Sequence, residues 1–105
     1  MANRLLPKYR RPTTPGEMLI EEFLKPMGVS QAEFARRIGV SYVRLNEIVN
    51  GRRSVTADTA LRFERALGVS AEFWLNLQRD LDLWDVLHSN SKAIQSIKRL
   101  EQAPG

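Results

Sequence analysis

Gly28-Val29-Ser30-Gln31-Ala32-Glu33-Phe34-Ala35-Arg36-Arg37-Ile38-Gly39-Val40-Ser41 is the stretch that decides the fold of this chain. Gly-Val-Ser opens and closes it, and the same tripeptide recurs at Gly68-Val69-Ser70. Each copy can end one helix and begin the next: glycine takes the left-handed conformation past a helix end, valine can staple, and serine caps the helix that follows. Between the first two copies there is room for only about two turns of helix. After the second comes Tyr42-Val43-Arg44-Leu45-Asn46-Glu47-Ile48-Val49-Asn50-Gly51, a slightly longer helical segment. A short helix, a glycine turn and a second helix form a helix-turn-helix, the unit that enters the DNA major groove.

Working outward, Thr14-Pro15-Gly16-Glu17 supplies a threonine cap, a proline at the first helical position and a glutamate placed for a capping box. The first helix that follows has Met18, Leu19, Phe23 and Leu24 on its apolar side and closes at Pro26 and Gly28. Ser30 with Glu33 repeats the capping-box pattern, Phe34, Ala35 and Ile38 face the core, and Ala35 is the small residue at the helix crossing. In the third helix Leu45 and Ile48 face inward. Arg52-Arg53-Ser54-Val55 is read as a loop, and Thr56 caps a fourth helix with Asp58 in its first turn and Ala60, Leu61, Phe63 and Leu67 on its apolar side. A fifth helix carries Phe73, Trp74, Leu75, Leu77, Leu81, Leu83, Trp84, Val86 and Leu87, too many large apolar residues for one core face. Leu77, Leu81 and Trp84 are assigned to a homodimer interface, the alternative being that all of these apolar residues are core beneath the C-terminal tail. The polar break at His88-Ser89-Asn90-Ser91 precedes one further short helix between Lys92 and Glu101.

No strand alternation occurs, so the chain is expected to be all-α, a five-helix bundle with a helix-turn-helix. Residues 1–13 form a basic N-terminal arm, 14–88 the DNA-binding domain with its C-terminal dimerisation helix, and 89–105 a tail. In 105 residues there is room for one domain and no second, catalytic one. Cysteine is absent, so disulfides and thiolate metal sites are excluded, in agreement with a reducing cytoplasm. No apolar run approaches the ~18 to 20 residues of a membrane span, so the chain is expected to be cytoplasmic with no membrane partner. Of the +4 net charge, the first 53 residues carry ten Lys or Arg against five Asp or Glu, and the remainder six against seven. The basic half is the one that holds the helix-turn-helix, as a polyanion-binding surface requires.

With these residues in hand the chain resembles the lambda-repressor-like helix-turn-helix proteins of the xenobiotic-response-element family. Within them it resembles the HigA antitoxins, also called virulence-associated protein I. The resemblance runs from Arg11 to Leu83. It rests on Arg11-Pro12-Thr13-Thr14-Pro15-Gly16-Glu17, Glu21-Glu22-Phe23-Leu24 and Met27-Gly28-Val29-Ser30-Gln31, and on Thr56-Ala57-Asp58-Thr59-Ala60-Leu61-Arg62 and Glu72-Phe73-Trp74-Leu75-Asn76-Leu77-Gln78. It implies a dimer on a palindromic operator over its own promoter, and a HigB-type partner, a toxin that is an mRNA endonuclease similar to RelE. The chain departs from the pattern at Thr13-Thr14, where a histidine commonly precedes Pro-Gly, at Leu81, where a tyrosine is common, and in its basic arm. A stand-alone repressor without a toxin is the alternative.

By that motif the third helix reads bases. Ser41 and Tyr42 offer hydroxyls, Val43 can touch a thymine methyl and Asn46 suits adenine. Glu47 either accepts from cytosine and selects against other bases, or pairs internally with Arg44. Asn50 contacts DNA or serves the helix end. Gln31 suits a phosphate at a helix N-terminus, with Arg52 and Arg53 as further phosphate contacts, and Arg44 on the third helix is counted in the DNA-binding set. Whether the arm follows the minor groove stays open. No catalytic residue, metal site, cofactor or small-molecule substrate is expected: His88 is a lone surface or capping residue, and Asp80, Asp82 and Asp85 do not share one helix face.

Overall fold

The computed structural model describes residues 10–101, and the arm's first nine residues lie outside them. Five helices and a short sixth follow in order, with no strand among the described residues. Helix α1 spans residues 15–27 without a break, through Pro15–Met18, Leu19–Leu24 and Lys25–Met27. Helix α2 is Gln31–Ile38, α3 Tyr42–Val49, α4 Ala57–Leu67, α5 Ala71–Ser89 and α6 Ser91–Gln95.

The repeated tripeptide does at all three places what local chemistry demands. Gly28, Gly39 and Gly68 have φ of 67°, 74° and 80°, left-handed values open to glycine at little cost. Ser30, Ser41 and Ser70 each cap the next helix by accepting from the N–H three residues on. At the start of α1 the capping box is complete: the Thr14 hydroxyl accepts from the Glu17 N–H and the Glu17 carboxylate from the Thr14 N–H, both at 3.0 Å. At Ser30 only half of the expected box forms, because the Glu33 carboxylate turns to Arg36 and Arg37 instead.

The middle of α1, Leu19–Leu24, is wound as π-helix, and the Lys25 N–H reaches back to the Ile20 carbonyl. Pro26 explains the position: it has no N–H to give and its ring crowds the carbonyl four residues back, which a wider turn relieves.

The core gathers Leu19 and Leu24 from α1, Phe34, Ala35 and Ile38 from α2, Leu45 and Ile48 from α3, Ala60 and Phe63 from α4, and Ala71 and Trp74 from α5. Trp74 is fully buried, with Phe23, Phe63 and Phe73 at ring-centroid distances of 5.0 to 5.3 Å. Tilted and edge-to-face pairs of this kind each add about 0.5 to 1.5 kcal/mol beyond the area they bury.

Three expectations are corrected. Leu61 is 56% exposed, and Thr59 is buried in its place; two residues along a helix are a rotation of about 200°, which puts the two on opposite faces. Leu81 is only 5% exposed and belongs to the protomer's own core, while Leu77 packs against that core and half-buried Trp84 stacks on His88 at 3.7 Å. The apolar residues of α5 that remain exposed are Val86 and Leu87, followed by Ile94, Ile97 and Leu100. The last helix stops at Gln95, well short of Glu101.

Candidate nucleic-acid interface

Helices α2 and α3 meet at Gly39-Val40-Ser41. The Val40 N–H donates to the Ala35 carbonyl at 3.0 Å, and the Ser41 hydroxyl accepts from the Arg44 N–H at 3.1 Å, so both sides of the turn are tied. From behind, Arg62 on α4 donates through Nη1 to the last α2 carbonyl, that of Ile38, at 2.7 Å. The end of α3 is fixed by an unusually close approach to α1. A Cβ on Gly16 would stand 2.5 Å from the Val49 carbonyl oxygen and 2.8 Å from that of Ile48, so only glycine lets the two backbones touch. Leu45 and Ile48 complete the anchoring, and the opposite face of α3 is left for solvent or a ligand.

On that face Tyr42 and Val43 are exposed, Val43 by 65%. Asn46 sits in a row of three amides. Its Nδ2 donates to Gln31 Oε1 at 3.0 Å, and its Oδ1 accepts from Asn50 Nδ2 at 3.0 Å. Each engaged atom of Asn46 keeps a second hydrogen or lone pair, which is what a bidentate contact to an adenine edge uses. Gln31, at the start of α2, accepts with its oxygen and keeps both amide hydrogens. Ser41, though a cap, retains its hydroxyl hydrogen.

Two residues expected on the surface are committed elsewhere. The Arg44 guanidinium turns to α4, where Nη2 donates to Thr59 Oγ1 at 2.8 Å and to Asp58 Oδ1 at 3.3 Å. Arg44 is therefore a positioning residue here, and it satisfies the buried Thr59 hydroxyl. Glu47 pairs internally, but with Arg53 and not with Arg44: Arg53 donates through Nε to Glu47 Oε1 at 2.9 Å, and its Nη2 stands 2.8 Å from the same oxygen in the ion pair. Arg52 is exposed at the head of the same loop.

The loop itself is pinned at both ends. The Arg52 N–H donates to the Glu47 carbonyl at 2.8 Å, and the buried Val55 N–H donates to Gln78 Oε1 at 2.9 Å. Gln78, buried on α5, passes its own amide hydrogen to Asp82. Asp58 is the second organiser. It accepts from Arg62 at 2.7 Å and from Arg44, and Arg62 above all holds its carboxyl below the ordinary range. Arg37, then Arg36, does the same for Glu33, and Arg11 for Asp85.

Arg11 forks onto Asp85 of α5 at 2.8 and 2.9 Å, so the described end of the arm is moored to the fifth helix. The His88 ring bonds the Trp84 carbonyl at 2.8 Å. Among the described residues no group of His, Cys, Asp and Glu is placed to hold a metal ion, and no helix is long and apolar enough to cross a membrane.

The structure thus brings Gln31, Ser41, Tyr42, Val43, Asn46, Glu47, Asn50, Arg52 and Arg53 to one region, and turns Arg44 away from it. Sequence reasoning missed Gly16, Asp58 as an ion-pair hub, Thr59, Arg62 and Gln78. Glycine at the second position of a helix, where it has no turn to make, was the available signal for the first.

A helix-turn-helix family model matches residues 20–74. Virulence-associated protein I of Dichelobacter nodosus is 54% identical over 69 residues, 66% of this chain and 64% of that protein. Antitoxin HigA-1 of Vibrio cholerae is 40% identical over 91 residues, covering 87% of this chain and 86% of that one. The solved Pseudomonas aeruginosa antitoxin HigA with higBA promoter superposes with a TM-score of 0.81 at 40% identity, over 87% of this chain and all of that one.

Proposed function

The chain belongs to the HigA family of helix-turn-helix antitoxins, and from that premise we propose that it is the DNA-binding antitoxin of a two-gene module, repressing its own promoter as a dimer and neutralising a RelE-like mRNA endonuclease toxin. The observation that carries the DNA reading is α3 itself. It is locked on one side by Leu45, Ile48 and the Gly16 contact, and open on the other, where Tyr42, Val43 and the Gln31–Asn46–Asn50 amides face outward. In this reading Asn46, Val43 and Tyr42 meet base edges, while Gln31, Ser41, Arg52 and Arg53 meet phosphates. One α3 spans too few base pairs for useful specificity, so a two-fold pair on a palindrome follows. The exposed apolar residues Val86 and Leu87 on α5 are the surface we assign to that pairing.

A repressor without a toxin is the rival, and the basic first half of the chain favours it, because RelE-like toxins are themselves basic. Copurification with the product of the adjacent gene, followed by a footprint on the upstream promoter, decides between them. A footprint without copurification leaves the stand-alone repressor, and no footprint ends the operator reading. Within the site, Asn46→Ala is expected to cost about 1 to 3 kcal/mol on operator and little on random DNA. Equal losses on both would remove Asn46 from the base-reading set.

A further inference from the structure

We infer that the Glu47–Arg53 ion pair is a specificity latch, which releases Arg53 to a DNA phosphate only where the sequence offers Glu47 a base-edge donor in exchange. The inference rests on the operator-reading function proposed above and assigns the two residues linked roles within it.

The pair is built into the fold. Arg53 lies between two fixed backbone points, the Arg52 N–H on the Glu47 carbonyl and the Val55 N–H on Gln78, which hold its stem beside α3. Both guanidinium contacts go to one Glu47 oxygen, Oε1, and leave Oε2 uncommitted. Glu47 stands one turn after the exposed Val43 and directly after Asn46, at the edge of the reading face. The side chains are 36% and 51% exposed, so DNA can reach both partners. Exposed pairs of this kind are weak enough for a phosphate to compete.

Competition alone does not open the pair. Once Arg53 moves to a phosphate, Glu47 remains as an uncompensated acid against a polyanion, and that opposes binding. A cytosine N4 amine in the major groove removes the conflict, because it donates to a carboxylate. Arg53 then adds a phosphate contact with its counterion release. On a sequence without such a donor the pair stays closed and Arg53 contributes no contact. Specificity at this position therefore comes from two contacts that form together, one to a base and one to the backbone.

The test is a salt titration of binding to the upstream promoter duplex and to a random duplex of equal length, using the full chain, Glu47→Gln, Arg53→Gln and the double variant. Thermal melts check that each is folded. Glu47→Gln is expected to tighten random-DNA binding about five- to tenfold at low salt, steepen its log–log slope by about 0.9, and shrink the promoter-to-random ratio. Arg53→Gln is expected to weaken promoter binding and leave the random-DNA slope of the parent unchanged; the double variant returns that slope to the parental value. An Arg53→Gln that flattens the random slope would show that Arg53 contacts phosphate with Glu47 in place, and would overturn the latch. So would a Glu47→Gln that tightens both duplexes equally, or neither. If the parent protein does not prefer its promoter, the operator reading itself fails, whereas the random-DNA slopes still report on the latch.

Discussion

Leu45 and Ile48 on α3 are buried by their own chain, whereas Val86 and Leu87 on the outer turns of α5 stand in solvent, with Ile94, Ile97 and Leu100 beyond them. Charge differs as well. Around α3 the charged groups are tied across elements, Arg44 to Asp58, Arg62 to the Ile38 carbonyl and Arg53 to Glu47, and Arg62 also pairs with Asp58 within α4. On the outer part of α5 the Arg11 fork on Asp85 reaches a distant segment, while the contacts of His88 and Ser89 stay within the helix. The reading head is a finished surface that a single chain can hold in shape. The outer part of α5 carries apolar area that the described residues do not cover, which is the condition for a partner to add stability.

The largest effect is expected where the head is tightest. Gly16→Ala places a methyl carbon 2.5 Å from a backbone oxygen of Val49, and neither backbone can yield without moving α1 from α3. A loss of about 1 to 3 kcal/mol is expected from overpacking of this kind, even though alanine is the better helix former. Chemical denaturation measures it. An unchanged midpoint would mean that α1 and α3 can separate cheaply, and the contrast between a rigid head and an unfinished tail would lose its basis. Gly28→Ala is the control for space, since no atom lies within 4 Å of its Cβ position and only the left-handed φ is penalised.

What was legible from the residues follows the same division between local and distant causes. Helix ends are decided within about four residues, so the three Gly-Val-Ser junctions and the caps at Thr14 and Thr56 could be placed without the fold. Leu45, Ile48, Phe34 and Trp74 were legible as core because helical periodicity reports the buried face. Ion-pair partners were not. Arg44 lies three residues before Glu47 and could have paired with it on the same helix, yet α4 offers Asp58 and the buried Thr59 hydroxyl, and only packing reveals that choice. Leu81 was assigned to the wrong side for a related reason: a long apolar helix has faces on all sides, and spacing alone does not tell which of them its own chain covers.

A middle-sized effect is expected at the tail. The paired change Val86→Ser with Leu87→Ser removes exposed apolar area and should leave the monomer's stability within about 0.5 kcal/mol, as surface changes away from special features usually do. In a two-fold dimer the loss occurs on both protomers, and the dimer Kd should rise at least tenfold, about 1.4 kcal/mol. Sedimentation across micromolar concentrations reads it. A parent chain that sediments as a monomer, or a variant that dimerises as well as the parent, would separate the exposed α5 surface from self-association. A variant that also melts earlier would show that these residues already serve the single chain.

The smallest effect concerns the ties themselves, and it has a definite sign. Asp58 is held below the ordinary carboxylate range first by Arg62 and then by Arg44, and Glu33 by Arg37 and Arg36. A depressed value in the folded state means that the unfolded chain binds the proton more readily. The contribution to stability is therefore complete above the unfolded carboxylate value, near 4, and is lost as pH falls through the lower folded value. All of these groups are solvent-exposed, so each tie is individually weak. Melting temperature should hold steady from neutral pH to about 5 and decline below 4. Asp58→Asn should melt slightly earlier than the parent at neutral pH and lose less on acidification, so that the two curves converge. Asp85→Asn should remove a different part of the acid limb, the part that moors Arg11 to α5. If Asp58→Asn instead runs parallel to the parent through the acid range, the Asp58 ties contribute nothing to holding α3 against α4. The rigidity of the head would then rest on Gly16, Leu45 and Ile48, with the Arg62 bond to the Ile38 carbonyl and the Arg44 bond to Thr59.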